Sequence, residues 1–200
     1  MKQERTLVVI KHDGVARGLT GEILKRFERV GLKIVAFEFL QSSDDLGNSH
    51  YPTTDGWFEK VGNRTLKEYQ EKGINPMKVL GTESAIEIGK LVKKWLVDYL
   101  TFGPVLAMVL EGPGAVAVVR KIVGETTPAV AAPGTIRGDF AMDNAELANA
   151  QKRPFYNLIH ASGEVAEAAE EIALWFDESE LFDYKTYSAP LMGMHGRLGE

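Results

Sequence analysis

The sequence predicts one α+β domain, a sandwich of four strands with interleaved helices, carrying a helical insertion at about residues 52–91. Three observations carry this. Short apolar or β-branched runs recur at residues 6–10, 32–41, 105–110 and 155–159. Stretches with helical spacing of apolar residues separate them. The segment from Ser42 to about Leu91 departs from both patterns. It is more polar and is broken by Pro52, Gly56, Gly62, Gly73, Pro76, Gly81 and Gly89.

In chain order, residues 6–10 read as a buried strand, interrupted by the polar turn Lys11-His-Asp-Gly14. A helix fits residues 20–30, with Thr20 as its cap, Ile23, Leu24, Phe27 and Val30 on one face, and Gly31 as its stop. Residues 32–41 form a second strand with Ile34, Ala36 and Glu38 on one face. The insertion offers helical pieces at 63–72 and 86–100, and it is too short and too thin in apolar residues for a domain of its own. A strand at 105–110 and a helix at 115–123 follow. Residues 124–141 are rich in glycine, proline and threonine and read as an ordered loop. A strand at 155–159 leads to a helix at 164–176, with Ser162 as its cap and Val165, Ala168, Ala169, Ile172, Trp175 and Phe176 as its apolar stripe.

Composition narrows the function. The formal net charge of -5 excludes the electrostatic footprint of a general nucleic-acid binder, while leaving room for a local basic pocket. The sequence has no cysteine, so disulfides, thiol catalysis and cysteine-held metals are excluded. No apolar run has the length of a membrane span, and the first residues lack a signal-peptide core. A cytoplasmic protein is the expectation.

Two glycine-rich stretches resemble nucleotide loops only in outline. Gly112-Pro-Gly114-Ala-Val-Ala117 follows a strand, but no acid for a ribose lies about 20 residues on. The stretch from Gly81 to Lys90 spaces its glycines too widely for a phosphate cradle, and Leu91 replaces the metal-binding hydroxyl.

The cations are more informative. Lys11 follows a strand, Arg120 lies late on a helix, and Arg137 sits in the ordered loop. Each alone reads as a surface residue. Together with Thr126 and Thr127 they suit a polyphosphate, which arginine grips bidentately and lysine attracts as a point charge. His160 ends a predicted strand just before a helix, a rigid support for a reactive side chain. On these residues alone it reads equally as a solvated strand-end histidine. Glu171, two helical turns beyond Glu164, is a carboxylate able to hold one ring nitrogen and leave the other to attack phosphorus. His12, His50 and His195 lack this setting and read as structural or surface residues.

With these pieces in order, the chain resembles nucleoside diphosphate kinases over most of its length. The matching segments are Glu4-Arg-Thr-Leu-Val-Val-Ile-Lys-His-Asp-Gly14, Gly103-Pro-Val-Leu-Ala-Met-Val-Leu-Glu-Gly112, Gly124-Glu-Thr-Thr-Pro-Ala129, Pro133-Gly-Thr-Ile-Arg-Gly-Asp-Phe140 and Asn157-Leu-Ile-His-Ala-Ser162. Leu174-Trp-Phe176 and Glu180-Leu-Phe-Asp-Tyr184 also fit. The resemblance implies a ferredoxin-like fold with a four-stranded antiparallel sheet. It implies ping-pong transfer of a terminal phosphoryl group from a nucleoside triphosphate to a nucleoside diphosphate through a phosphohistidine on His160. It implies Glu171 as the orienting carboxylate, with Ser162 beside it. Lys11, Arg120, Thr126 and Arg137 are implied as phosphate ligands, Asn157 as the sugar contact and Tyr51 as a tyrosine beside the histidine. The family's magnesium (Mg2+) is bound mainly by the nucleotide, so no protein cage for it is expected. Family members form homo-oligomers, usually hexamers and sometimes tetramers.

The chain departs from the family pattern in five respects. His12 stands where proline is usual, which predicts a less rigid turn. Gly163 stands where aspartate is usual, which predicts a lost helix-start contact. The stretch between Tyr51 and Leu96 is long, and a second, shorter lengthening lies between Phe140 and Asn157. Val92 falls where the family stacks a phenylalanine on the base. Trp57, Phe58, Tyr69 or Trp95 are candidates to replace that ring, or else anchor the insertion. A binding protein that kept the fold without catalysis is the competing reading.

Overall fold

Leu7, Val8, Val9 and Ile10 are all completely buried, because the strand that carries them has a core on each face. The computed structural model describes residues 3–144, 147–148 and 151–186. In it the strands are β1 (Gln3–Ile10), β2 (Lys33–Leu40), β3 (Val105–Pro113) and β4 (Ile159–Ala161). The helices are α1 (His12–Ala16), α2 (Thr20–Arg29), α3 (Asp44–His50), α4 (Asp55–Glu71), α5 (Pro76–Leu80), α6 (Ala85–Thr101), α7 (Ala115–Val123), α8 (Ile136–Phe140) and α9 (Val165–Trp175). The sheet order is β2-β3-β1-β4 and every neighbouring pair is antiparallel. This is the ferredoxin-like α+β sandwich that the family resemblance implies.

Strand alternation sorts the two cores. Val8, Ile10, Met108 and Leu110 pack with Ile23 and Phe27 of α2 and Val119 and Val123 of α7. Leu7, Val9, Ala107 and Val109 pack on the other face with Leu100 of α6 and Ile172 and Trp175 of α9. No helix among the described residues is long and apolar enough to cross a membrane.

Several local expectations are corrected. In β2 a bulge between Ile34 and Ala36 resets the alternation. Val35 and Ala36 both enter the second core while Ile34 packs against the first, so Ile34 and Ala36 do not share a face. Thr20 begins α2 rather than capping it, and Leu19 takes the cap position without a side-chain bond. The turn after Lys11 is the short helix α1. The 124–141 loop contains a 3-10 turn at Pro128–Val130 and the helix α8.

The predicted strand at 155–159 is corrected to β4, which shares only Ile159 with it; Leu158, with φ of 69°, lies outside extended geometry. Its N–H goes to Asp13 Oδ2 at 3.2 Å instead, and its carbonyl accepts from Lys11 N–H at 2.8 Å.

The insertion is more helical than its glycines suggest. Thr54 caps α4 by accepting from Trp57 N–H at 3.3 Å. Gly62 lies inside α4 and Gly89 inside α6, where the two helices cross. A Cβ on Gly62 would lie 1.8 Å from the Ala85 carbonyl oxygen, and one on Gly89 would lie 2.1 Å from that of Phe58. These glycines set the helix separation; they do not break helices.

Candidate active site

β4 turns Ile159 and Ala161 into the core under α2 and α7. His160, between them, therefore projects from the other face, toward α3 and α9. Its Nε2 lies 2.9 Å from Glu171 Oε1 and 3.0 Å from Oε2. Ser162, predicted as a helix cap, instead donates its hydroxyl to Glu171 Oε2 at 2.6 Å and accepts from Leu7 N–H at 3.2 Å. Glu164 occupies the cap position of α9, without a side-chain bond there. At Gly163, where no side chain can make the usual helix-start contact, the backbone N–H donates to the Glu167 carboxylate.

Burial, followed by the charges of Lys11, Arg137 and Arg120, holds the His160 imidazole well below its ordinary pKa. Burial raises Glu171, opposed by His50 and the Ser162 hydrogen bond. A neutral His160 that donates Nε2–H to Glu171 keeps its lone pair on Nδ1, on the opposite side of the ring. Its side chain is 17% exposed.

Lys11 sits just past the end of β1 and is buried. Its ammonium donates to Asn157 Oδ1 at 3.1 Å and stands 4.3 Å from the Tyr99 ring centroid. Burial, then Arg137, pushes Lys11 down to about 7, with Asp13 acting the other way. Asn157 spans the site, since its Nδ2 also donates to the Thr126 carbonyl at 3.1 Å.

Arg137 is a structural clamp as well as a cation. Its Nε and two terminal nitrogens donate to the carbonyls of Asn157, Gly124 and Ile159 at 3.2, 3.0 and 2.6 Å. Three of its five N–H groups are thereby used and two remain for an anion. Burial, then Arg120, lowers it to about 10. Arg120, on α7, reaches only 3.5 Å from the Ala161 carbonyl.

Lys11, Thr126 and Asn157 open into a cleft of about 190 Å3 whose far wall includes Val92, Trp95 and Phe155. Val92 lines this cleft. Of the four insertion aromatics, only Trp95 lines it. Phe58 and Tyr69 are buried in the insertion, and Trp57 packs edge to face on Phe58 at 5.8 Å. Phe155 was hidden in what read as a strand.

His50, expected to be a structural or surface residue, is buried, and its ring lies 4.4 Å from that of His160. Its Nδ1 accepts from Trp175 Nε1–H at 3.2 Å, and burial pushes it down to about 3. Tyr51 packs on His50 at 4.8 Å, so among these rings the close contact to His160 is made by His50. Asp13 and Tyr99 were also missed. Tyr99 donates to Asp13 Oδ1 at 2.8 Å and accepts from Asn157 N–H at 2.9 Å, which fixes the loop before β4. For Asp13 the available signal is its place inside the matching segment 4–14, whereas Tyr99 lies outside the matching segments. His12 packs against Tyr99 at 5.2 Å and Phe102 at 4.9 Å, which anchors the position where proline is usual. His195 lies outside the described residues.

Among the described residues, His50, His160 and Glu171 bring potential metal-ligand atoms within 4.8 Å of one another. Two imidazoles and one carboxylate do not match the oxygen-rich octahedron that Mg2+ prefers.

A sequence model of the nucleoside diphosphate kinase family matches residues 4–92 and 85–181. The chain is 46% identical to a nucleoside diphosphate kinase of Pyrobaculum aerophilum over 183 residues, covering 92% of this chain and 100% of that one. It is 43% identical to one from Thermus thermophilus over 178 residues, covering 89% and 98%. The crystal structure of an NDP kinase from Pyrobaculum aerophilum superposes with a TM-score of 0.89 at 45% identity, covering 91% of this chain and 100% of that chain. A transition-state mimic of the Borrelia burgdorferi nucleoside-diphosphate kinase with bound vanadate and ADP superposes with a TM-score of 0.77 at 33% identity, covering 96% and 98%.

Proposed function

The chain belongs to the nucleoside diphosphate kinase family, and from that premise we propose that His160 is the residue that carries the phosphoryl group. The reaction moves the terminal phosphoryl of a nucleoside triphosphate to a nucleoside diphosphate. In the first half, the Nδ1 lone pair attacks the γ-phosphorus, the bond to the β-phosphate oxygen breaks, and the nucleoside diphosphate leaves. In the second, a terminal oxygen of another diphosphate attacks the same phosphorus and the N–P bond breaks. Each half is the reverse of the other in kind, so one set of cations serves both.

The observation that carries this reading is the 2.9 Å contact between His160 Nε2 and Glu171 Oε1, read as an Nε2–H donated to the carboxylate. It leaves Nδ1 as the nucleophile and puts a carboxylate where the ring becomes positive as the N–P bond forms. Lys11, Arg120, Thr126 and Arg137 hold the phosphates, and Asn157 the sugar. Tyr51 backs the histidine through His50, and Val92 faces the base. The substrate is the magnesium complex of the nucleotide, with Mg2+ held by phosphate oxygens. A homo-oligomer, hexamer or tetramer, is part of the reading. Its support is the edge strand β2 with exposed Phe37 and Phe39, and light scattering of the purified protein tests it. A cytoplasmic location, beside the nucleotide pool, completes it.

Incubation with γ-labelled ATP leaves an acid-labile phosphate on the protein, and His160→Ala removes it. Labelling that persists in His160→Ala rules His160 out.

A further inference from the structure

Helix α6 faces the nucleotide cleft with Val92, Trp95 and Leu96. Lys93 points to a different neighbour. Its side chain is buried, and its ammonium donates to the carbonyls of Asn48 at 3.0 Å and Tyr51 at 2.9 Å. Both carbonyls belong to the end of α3, for which Tyr51 is the C-terminal cap residue. The last carbonyls of a helix have no partner within it, and their partial negative charge favours a cation. Among the described residues no ion pair to Lys93 forms, so backbone carbonyls are its recorded partners.

The packing brings these groups together. Lys93, Val97 and Thr101 recur every four residues along one stripe of α6. A Cβ on Gly47 of α3 would lie 3.0 Å from Thr101 Cγ2 and 3.2 Å from Val97 Cγ1, so α3 rides directly on that stripe. Lys93 lies at the end of the stripe that meets the last turn of α3. That last turn carries His50, whose ring lies 4.4 Å from His160 and whose Nδ1 is 3.8 Å from Glu171 Oε1. A displaced α3 terminus therefore moves the ring against which the nucleophile rests.

We propose that Lys93 is a positioning residue for phosphotransfer: by clamping the Asn48 and Tyr51 carbonyls it fixes His50 against His160 and Glu171, and so ties the insertion helix to the nucleophile. This rests on His160 being the phosphoryl carrier.

The test measures single-turnover phosphorylation of His160 by ATP in the full chain, beside nucleotide Kd and thermal unfolding. Lys93→Met removes the donors and keeps the unbranched stem. Its phosphorylation rate is expected to fall about tenfold while Kd changes by less than about twofold. Lys93→Arg, which restores charge and donors, is expected to recover most of that loss. Lys94→Met, one residue on and solvent-exposed, leaves the rate unchanged. Val97→Ala loosens the same helix contact without removing a donor, and separates lost stability from lost positioning. If Lys93→Met does not fold, Lys93→Gln takes its place, with one donor group and no charge. A wild-type rate in a folded Lys93 variant overturns the proposal. So does an equal rate loss in Val97→Ala at matched stability, or no recovery in Lys93→Arg. Labelling that survives His160→Ala is a separate result and removes the underlying reading instead.

Discussion

Ser162 donates its hydroxyl to Glu171 at 2.6 Å, so the carboxylate that faces His160 is held by the residue just beyond the histidine's own strand. In the proposed mechanism Glu171 acts on His160 in two ways, by fixing the tautomer and by stabilising the ring as it becomes cationic. Glu171→Gln is expected to slow His160 phosphorylation by about 10- to 100-fold with little change in nucleotide Kd. Ser162→Ala loses the bond that steadies the carboxylate, together with the acceptor for Leu7 N–H, for an expected slowing of about tenfold or less. Rapid-quench measurement of the phosphoenzyme separates these from binding defects. A Glu171→Gln enzyme that weakens Kd and keeps its rate contradicts the assignment.

Lys11 is pushed down to about 7, by burial first and by Arg137 second. The unfolded lysine titrates near 10.5. Between those values the unfolded chain holds the extra proton, so this group makes the free protein gain stability as pH rises through that window. A bound polyphosphate reverses the preference by restoring the ammonium. Nucleotide binding near pH 8 is therefore expected to take up about one proton, with uptake fading below about pH 6. Calorimetry in buffers of different ionisation heats reads this directly. Uptake that persists in Lys11→Met, or is absent at pH 8 in the wild type, contradicts it.

Gly62 and Gly56 make a matched pair within α4. Alanine at Gly62 meets the Ala85 backbone, whereas alanine at Gly56 meets nothing within 4 Å. Gly62→Ala is expected to destabilise by about 1–3 kcal/mol or more, as overpacking against a backbone does. Gly56→Ala gains helix propensity of up to about 1 kcal/mol. Urea unfolding of both variants checks the sign of each effect, and equal effects contradict the crossing geometry.

The same glycines show where the sequence stopped being informative. Gly62 and Gly89 read as breakers because a close helix crossing is a property of two segments, invisible in either alone. The strand at 155–159 failed for a similar reason. Leu158 takes its positive φ because Asp13, Tyr99 and Lys11 capture its backbone from elsewhere in the chain. β1 was legible because four successive apolar residues admit little but a strand buried on both faces. His160, Lys11 and Arg137 could be proposed from sequence because their chemistry and local setting lie together in short motifs, whereas Arg120, outside those segments, rested on its position late on a helix. His50 was not, since its value comes from a ring contact across 110 residues of chain.

The base side of the cleft gives the last expectation. Val92 cannot stack on a base as an aromatic ring does, but Trp95 stands one helical turn beyond it in the same wall, with Phe155 also lining the cleft. Aromatic stacking on a nucleobase contributes about 1–3 kcal/mol. Held equally in ground and transition states, it acts on KM and leaves kcat alone. Trp95→Leu is therefore expected to raise KM for nucleoside diphosphates by about 5- to 100-fold at near-constant kcat. Trp57→Leu, on the insertion's own packing surface against Phe58, is expected to affect unfolding and leave KM unchanged. Steady-state kinetics with purine and pyrimidine diphosphates decide between the two roles. An unchanged KM in Trp95→Leu would assign Trp95 to anchoring the insertion, and the base would then rest on Phe155 or stand free of stacking.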